Sequence, residues 1–352
     1  MEWNDKYRPR TLKQVYGQDS AVRQIQKLLK DPPRKWLICG SFGNGKTTLS
    51  RILAYELMGL PYGTPVPEFD ESNSANRRGI ADAREIIEKI PLRPMGAAKR
   101  KVYLFDEAHK LTPDAVSALL KVVEETPEHV VFIFTTNHPE KLSGEMRSRL
   151  ALGTIVLEDA SQKGVRDYLL AVAKAENVLQ PPLKYKDIFN TIAQTDSFRT
   201  AVSVLQKVAA IDPNPKDVSA VVRDIIRSVP ELDASRHATE IIIGLLQKDT
   251  TILLKALDRI EKGSFDRVIQ RVSQHMVEIV NYSSGIRRPF LFKDIQYTLD
   301  QVGKRVSNKS TNSPGYMSKC LMALDTIQTR LYGIAVDPKA VCVSHLLNVV
   351  VS

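Results

Sequence analysis

The sequence predicts a doubly wound parallel α/β domain followed by helices alone, and three stretches carry that expectation. The apolar run Trp36-Leu37-Ile38-Cys39 leads into Gly40-Ser41-Phe42-Gly43-Asn44-Gly45-Lys46-Thr47, and a helical stretch over 48–59 follows. A second apolar run over 102–105 ends in Asp106-Glu107, and a third over 130–134 ends in Thr135-Thr136-Asn137. Short, unbroken apolar runs alternating with amphipathic helices are the pattern of parallel strands buried on both faces.

The chain has 352 residues, enough for two or three domains with a sizeable core. Its net charge of +10 suits a polyanionic partner. The apolar runs, such as 130–134 and 241–246, are far too short to span a bilayer, so no membrane partner is expected. The first residues, Met-Glu-Trp-Asn-Asp-Lys, form no apolar signal core. Cys39, Cys320 and Cys342 lie far apart and make neither a disulfide framework nor a zinc pattern, which fits a reducing cytoplasmic setting.

Taken in order, residues 1–35 open with Tyr7-Arg8-Pro9 and Val15-Tyr16-Gly17-Gln18 ahead of a periodic helix over 20–30, broken by Asp31-Pro32-Pro33. Such a segment before a glycine-rich loop can wrap a nucleotide base, or dock as a surface arm. The loop itself reads G-x-x-x-x-G-K-T, a P-loop in its strand–loop–helix setting. Its glycines let the backbone turn N–H groups inward onto phosphate, and the following helix adds the positive end of its dipole. Gly43, Asn44, Gly45, Lys46, Thr47 and Thr48 are therefore candidate nucleotide ligands. Lys46 can reach the β- and γ-phosphates, and the Thr47 hydroxyl can hold Mg²⁺. The bound species expected here is a nucleoside triphosphate, with ATP and Mg²⁺ as the pair.

Phe69-Asp70-Glu71-Ser72-Asn73-Ser74-Ala75-Asn76-Arg77-Arg78-Gly79 leads into a helix over 80–90. Arg77, Arg78 and Arg84 sit at or near its start, where cations oppose the helix dipole. An anionic partner accounts for them, and so would plain solvation. The acids closing the next strand are placed at its carboxyl end, where α/β sheets hold ligands. Asp106 is expected to organise Mg²⁺, and Glu107 to orient and polarise the attacking water. His109, which completes Asp106-Glu107-Ala108-His109, reads as a local packing or hydrogen-bonding residue.

A helix over 113–125 follows, and then the strand ending in Thr135-Thr136-Asn137, whose polar groups can hold the lytic water, sense a γ-phosphate or simply cap the strand. Met146-Arg147-Ser148-Arg149-Leu150 closes a helix over 142–150 ahead of a last strand over 154–157. After Glu158 only helices are expected, over 161–176, 186–195, 198–209 and 219–228, with Arg199 near the start of the third. Pro230 marks a boundary. Helices over 234–247, 251–261, 265–284, 293–306 and 315–333 then carry no cluster of chemistry, as an assembly platform would.

As a set, these motifs resemble an AAA+ clamp-loader ATPase subunit, the class of the bacterial DNA polymerase III gamma/tau subunit and the small subunits of replication factor C. The likeness is close over residues 3–230 and rests on helical pattern beyond. Trp3 through Gln18 is similar to the family's base-binding segment, which implies nucleotide contacts from Tyr7, Arg8, Pro9, Val15, Tyr16 and Gly17. Thr135-Thr136-Asn137 resembles sensor 1, with Thr136 at the sensing position and Asn137 beside the nucleotide. Ser148-Arg149 resembles the arginine-finger motif, with Leu150 in place of the usual cysteine. Ser197-Phe198-Arg199-Thr200-Ala201 resembles sensor 2. The family's template-contacting stretch is matched over 74–84, with Arg78 and Arg84 at the basic positions.

The resemblance implies an AAA+ domain over 1–159, a small helical lid over 160–229 and an all-α collar over 230–352. It implies ATP hydrolysis coupled to opening a sliding clamp and loading it onto primer–template DNA during replication. Lys46, Glu107, Thr136, Arg149 and Arg199 would carry the chemistry, with Arg149 acting on a neighbour's ATP and Arg199 on its own. The partners implied are other loader subunits in a pentameric ring, the clamp and DNA. No cysteine lies between Cys39 and Cys320, so the four-cysteine zinc module of bacterial relatives is missing. A phage-encoded or divergent bacterial subunit fits that departure. Two other classes share the core: a motor, such as a Holliday-junction helicase or a helicase loader, and a non-hydrolysing structural subunit of a loader. The all-helical C-terminal pattern argues against the first, and the presence of both Lys46 and Glu107 against the second.

Overall fold

A computed structural model describes residues 2–73, 79–195, 197–261, 264–283, 314–331 and 337–351. It groups the chain into two compact units, residues 1–189 with 196–214, and residues 190–195 with 215–352.

The first unit is built on five strands: β1 (Lys35–Cys39), β2 (Phe69–Asn73), β3 (Lys101–Asp106), β4 (Val130–Thr136) and β5 (Thr154–Val156). All neighbours pair in parallel, in the order β2-β3-β4-β1-β5. Parallel neighbours require crossovers, and the sequence supplies helices for them. After α1 (Trp3–Lys6) and α2 (Asp19–Leu28) come α3 (Lys46–Met58), α4 (Ile80–Lys89), α5 (Pro113–Glu124) and α6 (Gly144–Leu150).

Strand periodicity explains why the three central runs are apolar at every position. Trp36, Ile38, Val102, Leu104, Val131 and Ile133 face one side and pack on Leu49, Ile52 and Leu53 of α3 and on Ile25 of α2. Leu37, Cys39, Tyr103, Phe105, Phe132 and Phe134 face the other side, against Ile86 of α4, Leu119 and Val123 of α5, and Met146 and Leu150 of α6. Phe105 and Phe134 stack with ring centroids 4.9 Å apart. Each such side chain, when fully buried, contributes roughly 1.5–3 kcal/mol over leaving it in water. The rigid floor of the site is therefore built from runs that are apolar at every position.

Strand β2 goes beyond the sequence expectation, which reads that stretch only as the approach to a helix. Phe69-Asp70-Glu71-Ser72-Asn73 has a single large apolar residue, so it lacks the signature of a buried strand. Among the described residues it sits at the sheet's edge and pairs only with β3, where that signature is not needed.

Helices complete the unit: α7 (Gln162–Glu176), most of α8 (Lys186–Ile192) and α9 (Phe198–Ile211). Ser161 and Ser197 cap α7 and α9, accepting hydrogen bonds from the N–H groups of Gly164 and Thr200.

The second unit holds α10 (Val218–Ser228), α11 (Pro230–Gln247), α12 (Thr250–Asp258), α13 (Phe265–Ser283), α14 (Pro314–Leu331) and α15 (Pro338–Val351). Pro230 is the first helical residue of α11, a position that tolerates proline because its missing N–H has no partner there anyway. One apolar cluster runs through α11–α15, from Ala234 to Val350. Helix α15 lies beyond the sequence expectation. Its apolar residues surround the helix instead of forming a stripe, so periodicity does not announce it. The helix expected over 293–306 lies outside the described residues. No described helix is long and apolar enough to cross a membrane.

Candidate nucleotide-binding site

The strand order brings three carboxyl ends together: β1 and β3 flank β4. The loop after β1 is the P-loop, and its geometry depends on glycine. Gly45 has φ +94° at the entry to α3, a conformation that side chains rarely adopt. Gly43 has φ +74°, and a Cβ there would lie 2.4 Å from Ser197 Cβ. The P-loop backbone thus rests directly against the start of α9.

A cleft of about 570 Å³ opens beside this loop. Its wall includes Gly43, Asn44, Gly45, Lys46, Thr47 and Thr48 from the P-loop, and Asp106 and Glu107 from the end of β3. Lys46 Nζ donates to the carbonyl oxygens of Gly40 and Ser41, both at 2.9 Å. Burial pulls the Lys46 ammonium below its ordinary pKa; Asp106 and Glu107 oppose that shift, and the Arg199 guanidinium adds to it.

Thr47 Oγ1 donates to Asp106 Oδ2 at 2.9 Å. Two hard oxygen donors meeting in a cleft suit Mg²⁺, which takes one or two protein ligands and fills its octahedron with water and phosphate. The residues present therefore fit the cation the sequence calls for. Glu107 has φ +57°, which turns its side chain at the end of the strand, and its Oε2 lies 2.5 Å from Lys110 Nζ.

The structure brings Thr135, not Thr136, against these acids. Thr135 Oγ1 donates to Asp106 Oδ1 and accepts from the Glu107 N–H at 3.2 Å. Thr136 points to the opposite face, where its Oγ1 accepts from the His138 N–H at 2.9 Å and lies 3.1 Å from His109 Nδ1. His109 is thus the local hydrogen-bonding residue its sequence position suggests. Neither Thr136 nor Asn137 lines the cleft.

The base-binding segment divides in the same way. Arg8, Pro9, Val15 and Tyr16 line the cleft, whereas Tyr7 and Gly17 do not. The Tyr7 hydroxyl donates to Glu176 Oε1 at 2.7 Å, fastening the N-terminal arm to α7. Gly17 has φ +67°, and a Cβ there would sit 3.0 Å from Phe198 Cζ, so it admits that ring. Tyr16, Tyr168 and Phe198 form an aromatic wall, with centroids 5.3 Å and 5.8 Å apart along the series. Burial pushes the Tyr168 hydroxyl up to about 12, so it stays a donor, and it donates to the Tyr7 carbonyl at 2.9 Å.

Arg199 lines the cleft, its guanidinium 5.1 Å from the Phe42 ring centroid. Arg149, on α6, does not reach it. Its Nη2 lies 2.8 Å from Glu124 Oε2 and its Nη1 2.9 Å from Glu145 Oε1. Arg84 is exposed on α4, on the side away from Ala83 and Ile86. Arg77 and Arg78 lie outside the described residues.

The family model for the DNA polymerase III delta subunit matches residues 64–158. The DNA polymerase III subunit tau/gamma of Haemophilus influenzae is 25% identical over 295 residues, covering 78% of this chain and 41% of that one. The replication factor C small subunit of Thermoplasma volcanium is 29% identical over 279 residues, covering 78% of each. The chain is thus similar to clamp-loader subunits of the DNA polymerase III gamma/tau and replication factor C small-subunit kinds. Among solved structures, the RuvB Holliday junction branch migration motor of Thermotoga maritima superposes with a TM-score of 0.52 at 19% identity, covering 67% of this chain and 79% of that one. That likeness shows the fold alone. The chain spans less than half the length of the Haemophilus relative.

Several residues of the cleft carry no signal in the sequence analysis. Arg51 of α3 forms a two-pronged ion pair with Glu71 of β2, at 2.8 and 2.9 Å, and both line the cleft. Arg51 lies on the same helix as Lys46 and Thr47, so its side of the pair follows from the P-loop; its partner lies on β2, which periodicity does not reveal. Asp159 holds the P-loop shoulder, accepting from Ser41 Oγ at 2.6 Å and from Asn44 Nδ2 at 3.3 Å.

Proposed function

We propose that this chain is an ATP-hydrolysing subunit of a sliding-clamp loader, opening a ring-shaped clamp and releasing it closed on primer–template DNA. The observation that carries the reading is the convergence, in one cleft, of Lys46, the Thr47–Asp106 pair and Glu107. Lys46 would exchange the Gly40 and Ser41 carbonyl oxygens for β- and γ-phosphate oxygens, which are stronger acceptors. Thr47 and Asp106 would hold Mg²⁺, which when bound neutralises charge on the phosphates. Glu107 would orient and polarise the attacking water, its backbone fixed by Thr135. Tyr16, Tyr168 and Phe198 would enclose the base, with Arg8, Pro9 and Val15 beside it.

Two arginines complete the reading. Arg199 would donate to phosphate in its own chain, and Arg149 to phosphate held by a neighbouring subunit, so the working form is an oligomer, a pentameric ring by family likeness. Residues 1–159 would act as the motor domain, 160–229 as the lid and 230–352 as the collar. The described part of the second unit contains helices and no strand, which favours a collar over a winged-helix DNA reader. Arg77, Arg78 and Arg84 would meet the template backbone, in keeping with the net charge of +10. A replication protein of this kind works in the cytoplasm.

The test is whether the purified protein, with its co-encoded partners, places a labelled clamp on primed DNA only when ATP is present. Loading that is absent while forked or four-way DNA is unwound would replace this reading with a DNA motor.

A further inference from the structure

Phe42 is the odd residue of the P-loop. It is a large apolar side chain, 61% exposed, in a loop otherwise made of glycine and polar residues. Burial does not explain it. Its neighbour does: the ring lies 5.1 Å from the guanidinium carbon of Arg199, and both side chains line the cleft.

Arg199 is in an awkward electrostatic position. It is the second residue of α9, where a cation opposes the helix dipole. It is also close enough to Lys46 for its charge to be felt there. Among the described residues it forms no ion pair. The packing of Gly43 on Ser197 fixes the distance between P-loop and helix, so the ring and the guanidinium are held within reach of each other.

We propose that Phe42 is a positioning residue for Arg199, holding the guanidinium by its face so that its N–H edge stays free for the terminal phosphate of a bound nucleoside triphosphate. An arginine stacks through its face and donates hydrogen bonds in its plane, so the two contacts do not compete. A carboxylate partner would occupy the donor edge, and the phosphate would have to displace it. The aromatic seat stabilises the cation without using a single donor.

This inference rests on the reading that the cleft holds ATP and that Arg199 acts within its own chain. The experiment measures binding of a non-hydrolysable ATP analogue and of ADP, each with Mg²⁺, to the full chain and to Phe42→Leu, Phe42→Tyr, Arg199→Ala and the Phe42→Leu/Arg199→Ala double variant. Phe42→Leu should weaken the triphosphate about two- to five-fold, the scale of an exposed cation–π contact, and leave ADP nearly unchanged. Phe42→Tyr, which keeps the π face, should bind as the parent does. In the Arg199→Ala background the Phe42 change should have no further effect, because the group it positions is gone. Equal weakening of both nucleotides, independent effects in the double variant, or unchanged affinity in Phe42→Leu would overturn the proposal while leaving the cleft reading intact. A parent chain that binds neither nucleotide would overturn the cleft reading, and the proposal with it.

Discussion

Two helix ends in the first unit each present an arginine, and the two are held in opposite ways. At the end of α6, Arg149 is gripped by Glu124 and Glu145, at 2.8 and 2.9 Å, and does not line its own chain's cleft. At the start of α9, Arg199 has no acid partner among the described residues and lies over the Phe42 ring inside the cleft. An arginine that waits in its own active site is best left with its donors free. An arginine that must serve a site elsewhere is exposed to solvent and to stray anions until that site arrives, and paired acids keep it folded back. Under the proposed roles, the difference in partners would separate a group acting within the chain from one acting across a subunit boundary.

The largest expected effect tests that separation directly. Arg149→Ala and Arg199→Ala should each depress DNA- and clamp-stimulated ATP turnover, the former on the order of 10³-fold, the scale of a finger supplied in trans. Mixing tells them apart. Arg149→Ala chains combined with Lys46→Ala chains should recover turnover, since an intact site can sit beside an intact finger. Arg199→Ala chains mixed with Lys46→Ala chains should not, since every site then carries its own defect. Recovery in both mixtures, or in neither, would erase the distinction between the two arginines.

A smaller effect, on the order of 10²-fold, is expected for Glu107→Gln, the scale of losing general-base assistance. ATP should still bind, because Lys46, Thr47 and Asp106 are untouched, and the assembly should accumulate on DNA with its clamp. Single-turnover hydrolysis is the readout, and near-parental rates would move the water-activating role elsewhere.

How far these groups are legible in the sequence follows from how local their constraints are. The P-loop packs a strand, two required glycines, a lysine and a threonine into a dozen residues, so it can be read without a fold. The choice between Thr135 and Thr136 cannot. Adjacent strand residues face opposite sides, and which one meets Asp106 depends on the register of β4 against β3, where Phe105 aligns with Phe134. Tyr168 and Phe198 are far from Tyr16 in sequence, and nothing near either announces an aromatic wall. Phe42 is in plain view within the motif, yet its role depends on where α9 begins. Strand β2 escapes periodicity because an edge strand need not be apolar, and the Arg51–Glu71 pair escapes with it.

The basic stretch offers a third measurement, of smaller size at any one salt concentration. If Arg78 and Arg84 contact phosphates, replacing both with alanine should flatten the dependence of log K on log salt by about one unit per lost contact per subunit. ATP affinity without DNA should stay put. The same substitutions should not alter the mixing result for Arg149, because Arg84 lies on α4 and Arg149 on α6. An unchanged slope would return Arg84 to an ordinary solvated side chain on α4.

The smallest effect expected comes from loosening the grip on Arg149 without removing it. Glu124 is largely exposed, and the Arg149 guanidinium holds its carboxyl below the usual range. Exposed pairs of this kind contribute little to folding, so Glu124→Gln should leave the thermal midpoint of the isolated chain almost unchanged. Its nucleotide affinity should also stay the same, since Glu124 does not line the cleft. In the assembly the outcome differs. A finger that engages a neighbour's phosphate must leave Glu124, so weakening that contact favours the engaged form. Stimulated turnover should rise, by at most about five-fold. The effect should vanish when Arg149 is alanine. A fall in turnover would mean that Glu124 instead orients Arg149 in its working position, and the contrast between the two arginines would then have to rest on the Phe42 seat alone.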